Sequence, residues 1–181
     1  NVACYSTFQG TFISRCYLGD AAGRLWRVDL GNADPSKWRL ELFYDPYAGV
    51  TSATIPVVSA VRAPAWEAPA IAVKAFTSEL AVVWGGADTD TIDELVHRNF
   101  VASVTETLEP GYTACSPYTD APCAYTDPFT GTSRQSAKLN WKCFLGYDQG
   151  LNLVSGAQPG ERMMGQPLVY SGTAYWATFT P

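Results

Sequence analysis

A chain of 181 residues that is 47% hydrophobic and 16% charged is long enough for one domain with a substantial core, and its composition is not that of a disordered segment. Twelve Lys and Arg against seventeen Asp and Glu leave a net charge of −5, so there is no basic stripe to meet phosphates and nucleic acid is excluded as an expected partner. No apolar run approaches the roughly twenty residues that span a bilayer, and Asn1-Val2-Ala3-Cys4 lacks the charged and apolar regions of a signal peptide. The expectation is a segment with no membrane insertion, whose export signal has been removed or lies elsewhere.

In chain order, the first ten residues read as a connection or as the frayed end of an earlier element, and alternation begins only at residues 11–17. Gly19-Asp20-Ala21-Ala22-Gly23 then supplies a tight reversal, because Gly accepts a positive φ and Asp bonds its own backbone. Arg27 and Asp29 flank Val28 at a two-residue period, which makes residues 17–30 a β-hairpin. A turn-rich stretch over 31–36 leads into a third antiparallel strand over 38–44, stopped by Asp45-Pro46. Pro56, Pro64 and Pro69 each remove a backbone donor, so 50–70 admits only short edge strands.

Residues 71–76 and 80–84 are short apolar runs that read as the inner hairpin of a second four-stranded unit, closed by Gly85-Gly86. Residues 89–97 are the one helix candidate, and 100–106 alternate again as a third strand. The stretch 108–137, rich in Pro, Thr, Ser, Gly and Tyr, far exceeds the usual connection of about four to six residues and reads as a surface loop insertion. Residues 140–145 restore a strand, 151–154 form a short continuation, and 166–170 with 173–179 make a last hairpin around Ser171-Gly172. Six Trp and ten Tyr favour pleated surfaces over helices. The whole is expected to be all-β.

Five Cys stand at 4, 16, 115, 123 and 143. They form no C-x-x-C pair, and a single His does not complete a familiar zinc site, so disulfides in an oxidising compartment are expected. Cys115 and Cys123 enclose 116–122 and would close the long loop on itself; the competing arrangement pairs Cys143 with one of them. Tyr112, Tyr118 and Tyr125, set among Ser, Thr and Pro in that loop, form the candidate partner-binding surface, since rigid amphipathic Tyr on an exposed loop suits recognition. Asp88, Asp90, Asp93 and Glu94 are an oxygen-rich cluster, but they lack the glycine and distal Glu of a calcium loop and suit the first turn of a short helix. Glu161-Arg162 reads as a salt bridge pinning the last hairpin. Trp26, Trp38, Trp84, Trp141 and Trp176 read as strand residues in core or inter-sheet packing. No catalytic residue is singled out, and His97 reads as a surface residue.

Four stretches resemble, in order, the β-propeller of the PilY family of type IV pilus-associated tip adhesins and biogenesis proteins. They are 17–30 (Y-L-G-D-A-A-G-R-L-W-R-V-D-L), 80–90 (L-A-V-V-W-G-G-A-D-T-D), 99–106 (N-F-V-A-S-V-T-E) and 160–181, which opens on Gly160-Glu161-Arg162 and closes on Y-S-G-T-A-Y-W-A-T-F-T-P. The resemblance covers roughly a third of the chain. It implies that residues 1–181 are one segment of a C-terminal propeller, about two four-stranded antiparallel blades plus one further hairpin, open unless completed by more chain or by partners. A closed propeller has about four to eight blades.

The implied role is non-enzymatic. A secreted, cell-surface segment at the pilus tip or outer membrane would act in adhesion, pilus biogenesis and twitching motility, with minor pilins, the remainder of a longer PilY-like chain, or a host or abiotic surface as partners. The alternatives are a quinoprotein-like propeller dehydrogenase, with a quinone and calcium on its axis, and a purely structural assembly subunit. No cofactor is expected. In the family the strand pair like 17–30 commonly follows an aspartate-rich calcium loop, whereas Ser6, Phe8, Gly10 and Ser14 stand at the corresponding positions, so the ligands are missing. Cys4 and Cys16 bracket that same segment, and a disulfide between them is expected to hold it in place of calcium.

Overall fold

A computed structural model describes residues 1–6, 13–31, 33–48, 62–73, 79–88, 98–108, 135–148, 152–155 and 160–180. Among these residues ten strands form three antiparallel sheets. Sheet I runs β1 (Val2–Tyr5), β2 (Arg15–Gly19), β3 (Leu25–Asp29), β4 (Arg39–Tyr44). Sheet II runs β5 (Ala70–Val73), β6 (Leu80–Gly86), β7 (Phe100–Leu108), β8 (Gln135–Phe144). Sheet III is the hairpin β9 (Arg162–Tyr170), β10 (Thr173–Phe179). Neighbours in the sheets are neighbours in sequence, and no sheet closes on itself. The architecture is all-β, an open, partial propeller-like stack; among the described residues the only helical element is the three-residue 3-10 turn Pro35–Lys37.

Each reversal follows from local chemistry. Between β2 and β3, Asp20 Oδ1 accepts from the N–H groups of Ala22 (2.8 Å) and Arg24 (3.0 Å), and Gly23 takes a φ of +76° that only glycine adopts without strain. Between β9 and β10, Ser171 and Gly172 both have positive φ, 48° and 78°, the two-residue geometry whose twist matches that of the flanking strands. Asp34 caps the 3-10 turn through the N–H of Ser36 at 3.0 Å.

Two regions differ from the sequence reading. Residues 2–5, read as a connection or the frayed end of an earlier element, are the fourth strand of sheet I, in register Val2↔Leu18, Ala3↔Tyr17, Cys4↔Cys16, Tyr5↔Arg15. The strand is too short to show a period, and its place is fixed by the disulfide joining Cys4 to Cys16 and by the Ser14 N–H bonded to Tyr5 O at 3.0 Å. The insertion at 108–137 is shorter than expected, because Leu108 and Gln135–Ala137 belong to strands, with Leu108↔Gln135 and Glu106↔Ala137 in register. Polar residues at a sheet's outer edge carry no alternation to reveal them. The helix candidate at 89–97 lies outside the described residues.

Two cores hold the stack. Sheets I and II enclose Tyr17, Leu25, Phe43, Tyr47, Val82, Trp84, Phe100, Val104 and Phe144. The opposite side of sheet II, with Ala70, Val83, Val101 and Leu145, meets Met163 of β9 and the half-buried Val169 and Ala174 of sheet III. The stack therefore has the order I, II, III. The Trp residues divide accordingly: Trp84 is buried, Trp26 half-buried, and Trp38, Trp141 and Trp176 exposed. Trp38 caps the 3-10 turn rather than sitting in β4, and Trp141 stacks on Trp176 with ring centroids 5.6 Å apart.

Candidate functional site

Sheet I is turned in an unexpected sense. Its registers align Ala3, Tyr17, Arg27 and Glu41 in one row across the strands, with Val2, Leu18, Trp26, Leu42 and Cys4, Cys16, Val28, Leu40 in the rows on the other face. The wholly apolar face points away from sheet II. The face carrying Tyr17, Arg27 and Glu41 is the buried one.

A charge junction makes this arrangement stable. Glu106 of β7 reaches across from sheet II, and its Oε1 pairs with Arg27 Nη1 while Arg27 Nη2 pairs with Glu41 Oε1. Arg15 Nε lies 3.2 Å from the same Glu106 oxygen. Tyr17 donates its hydroxyl to Glu106 Oε2 at 2.9 Å, and the Arg27 guanidinium rests over the Phe43 ring at 5.3 Å. Two arginines against two glutamates leave the cluster neutral. Burial penalises the Arg27 charge, but Glu106 and Glu41 outweigh it and raise its pKa above the ordinary arginine value. Burial, and then the Glu106 carboxylate, push the Tyr17 phenol far above the ordinary tyrosine range, so the hydroxyl stays a donor.

Beside this junction the strand-free segment from Arg62 threads between the sheets. Tyr47 donates its hydroxyl to Arg98 O (2.7 Å) and accepts from Ala63 N–H (2.9 Å); burial raises its pKa, with the Ala63 hydrogen bond opposing. Arg62 forms a two-pronged pair with Asp45, both contacts at 2.9 Å. Trp84 Nε1 donates to Gly23 O at 3.1 Å. Close approach at this seam requires glycine: a Cβ on Gly86 would stand 2.3 Å from the Phe100 ring and 2.7 Å from Ala63 O. The Asp20 carboxylate takes bonds from Arg24 Nε (2.7 Å) and Trp26 Nε1 (2.8 Å). Burial alone would raise its pKa, yet these bonds and the turn amides lower it.

The junction positions charge without offering an opening to a substrate, and its chemistry is structural. Tyr17, Arg27, Glu41 and Glu106 were not singled out as a group from the sequence. The signal was one Glu in the otherwise uncharged stretch 99–106 and an Arg opposite a Glu in adjoining strands, since buried charge is seldom tolerated unless paired.

Of the residues singled out from sequence, Cys4 and Cys16 are brought together by the first sheet. The loop they bracket is closed at its base by Ser14, whose Oγ donates to Tyr5 O at 3.3 Å. Cys115, Cys123, Tyr112, Tyr118 and Tyr125 lie outside the described residues, as do Asp90, Asp93, Glu94 and His97. Cys143 is a free, exposed thiol on β8. Asp88 is buried, and its N–H bonds Asn99 Oδ1 at 3.1 Å. Asn99 also donates from Nδ2 to Glu161 O at 2.8 Å, which ties the entry to β9 to the start of β7, and the buried Arg162 donates from Nε to Gly160 O at 3.2 Å within that entry. Among the described residues no group of three or more His, Cys, Asp or Glu side chains is placed to hold a metal ion.

Sheet III turns Leu168, Tyr170 and Tyr175 outward, and among the described residues β10 pairs only with β9. No family model, curated protein or solved structure matches the chain.

Proposed function

We propose that this chain is a non-enzymatic, secreted β-propeller segment of a type IV pilus tip-associated protein, acting in adhesion and pilus biogenesis by binding minor pilins. One observation carries the reading. Among the phrases resembling the PilY propeller, 17–30 falls on β2 and β3 and 80–86 with 99–106 on β6 and β7, the second and third strands of sheets I and II, while 160–181 falls on β9 and β10 of the two-stranded sheet III. A blade-by-blade repeat produces that correspondence.

The cross-strand Cys4–Cys16 bond supports an oxidising, extracytoplasmic setting. The seam between sheets I and II is filled by side chains already paired with one another, which leaves recognition to loops and open faces. The test is to mix the oxidised chain with purified minor pilins and follow co-elution by size exclusion. Co-elution at a fixed ratio, lost when the pilins are replaced by an unrelated β-protein, is the expected result; independent elution with every minor pilin overturns the reading.

A further inference from the structure

We propose that the Cys4–Cys16 bond is a redox latch: a dithiol that opens it frees β1 from sheet I, while β2, β3 and β4 stay docked on sheet II. The inference rests on the fold and is independent of the pilus reading. β1 and the rest of sheet I are held by different means. Among the described residues β1 pairs only with β2, over four residues whose side chains are exposed or half-buried and belong to neither core. Beyond that ladder, Tyr5 O accepts from the Ser14 N–H at 3.0 Å and from Ser14 Oγ at 3.3 Å, and Asn1 N lies 3.4 Å from Trp66 O.

The other three strands reach sheet II directly. Tyr17 and Arg27 bond Glu106, Glu41 pairs with Arg27, and Tyr17, Leu25 and Phe43 lie in the core the two sheets share. None of these contacts passes through β1. A short edge strand that buries no side chain is marginal by itself, because its ladder must offset the entropy of ordering its own backbone. The covalent bond removes much of that cost by holding Cys4 opposite Cys16 across twelve residues of sequence. Cutting it returns the cost to β1 alone.

The two sulfurs are unequally placed. Cys4 is exposed and Cys16 is buried, so a thiolate from solvent attacks Cys4 Sγ. The external dithiol forms a mixed disulfide with Cys4 and releases the Cys16 thiolate, which takes up a proton; the second thiolate of the dithiol then attacks its own sulfur in the mixed disulfide and releases Cys4. The protein bond gains two electrons and two protons, and the dithiol leaves as a disulfide. With β1 away, β2 becomes the outer strand, and the backbone groups that paired with Val2–Tyr5 stand open as on any sheet edge. Redox state therefore changes the edge of sheet I and not its contact with sheet II.

Amide hydrogen exchange of the whole chain, oxidised and after dithiothreitol without denaturant, tests this, with peptide mapping of alkylated cysteines to establish that Cys4 and Cys16 are reduced. On reduction the β1 amides are expected to exchange about a hundredfold faster, the local counterpart of the lost loop closure, while those of β3, β6 and β7 keep their protection. Oxidised glutathione should restore the first pattern, and Cys4→Ser/Cys16→Ser should reproduce the second. A bond that dithiothreitol cannot reduce in the folded chain, β1 protection unchanged by reduction, or protection lost in β3, β6 and β7 along with β1 would each overturn the inference. Should the double variant fail to fold, the reduced wild type decides the matter. Minor pilin co-elution is measured on the oxidised chain, so either proposal can fail while the other stands.

Discussion

Tyr17 on β2 donates its hydroxyl to Glu106 on β7 across 2.9 Å of buried space, and this bond joins two sheets whose residues lie 89 positions apart in sequence. Glu106 also bonds Arg27 and lies within ion-pair distance of Arg15, so one carboxylate faces three polar groups of sheet I. Removing it strands buried cations. Glu106→Ala is expected to cost about 3–5 kcal/mol, the usual range for breaking one side of a buried pair. Tyr17→Phe should cost less, about 1.5–3 kcal/mol for a hydrogen bond to a charged group. Urea denaturation checks both, and equal losses would show that the carboxylate is not the hub.

The two buried phenols give the protein an alkaline limit. The folded-state pKa values of Tyr17 and Tyr47 are raised, chiefly by burial, so each contributes stability that is fully present below the unfolded value of about 10 and is lost as pH rises beyond it. Thermal midpoints should fall above that pH. Tyr17→Phe and Tyr47→Phe should each start lower at pH 7 and fall less steeply. A slope unchanged in both variants would contradict the assignment.

Asp20 acts in the opposite window. Its lowered pKa means a contribution present above the unfolded carboxylate value, about 3.9, and lost as pH falls through the folded one. Asp20→Asn, which keeps the shape of the turn but not its charge, should be less stable at pH 7 and show a shallower decline below pH 4. A parallel decline in wild type and variant would place the acid sensitivity elsewhere.

At the seam between the sheets, Gly86 has no room for a side chain, because an added Cβ meets the Phe100 ring and the Ala63 carbonyl. Gly86→Ala is expected to destabilise by about 1–3 kcal/mol through overpacking. The same substitution at Gly172, where nothing lies within 4 Å, should cost only the strain of its positive φ. Reversing that order would mean that Phe100 and the Ala63 carbonyl do not crowd Gly86 as described.

The Cys4–Cys16 bond closes twelve residues of sequence, worth about 3 kcal/mol in the chain-entropy model. Reduction should lower the thermal midpoint, the Cys4→Ser/Cys16→Ser double variant should reproduce the reduced value, and added calcium should not restore it. Rescue by calcium would show that the loop binds a cation after all.

Most strands were legible because a period of two survives in single segments such as 25–29 and 100–106, and turns announced themselves through Gly19, Gly23 and Ser171-Gly172. What the period does not tell is which face of a strand turns inward. A hydrophobic-inward rule applied to sheet I would bury Leu18, Trp26, Val28 and Leu42, whereas Tyr17, Arg27 and Glu41 are the ones covered by sheet II. The deciding partner, Glu106, belongs to another sheet, and its bond to Arg27 spans 79 residues, beyond the reach of local pattern. β1 was hidden for a different reason, since four residues hold too little alternation and its pairing depends on a covalent bond.

Amide hydrogen exchange tests most directly whether the charge junction makes sheets I and II one unit. In the wild-type protein the amides of β2, β3, β6 and β7 should open with one shared free energy, as a single cooperative block does. In Glu106→Ala the amides of β2 and β3 should exchange first while those of β6 and β7 keep slower exchange. Separate opening energies for the two sheets in the wild type, or an equal loss of protection in both on substitution, would contradict the account.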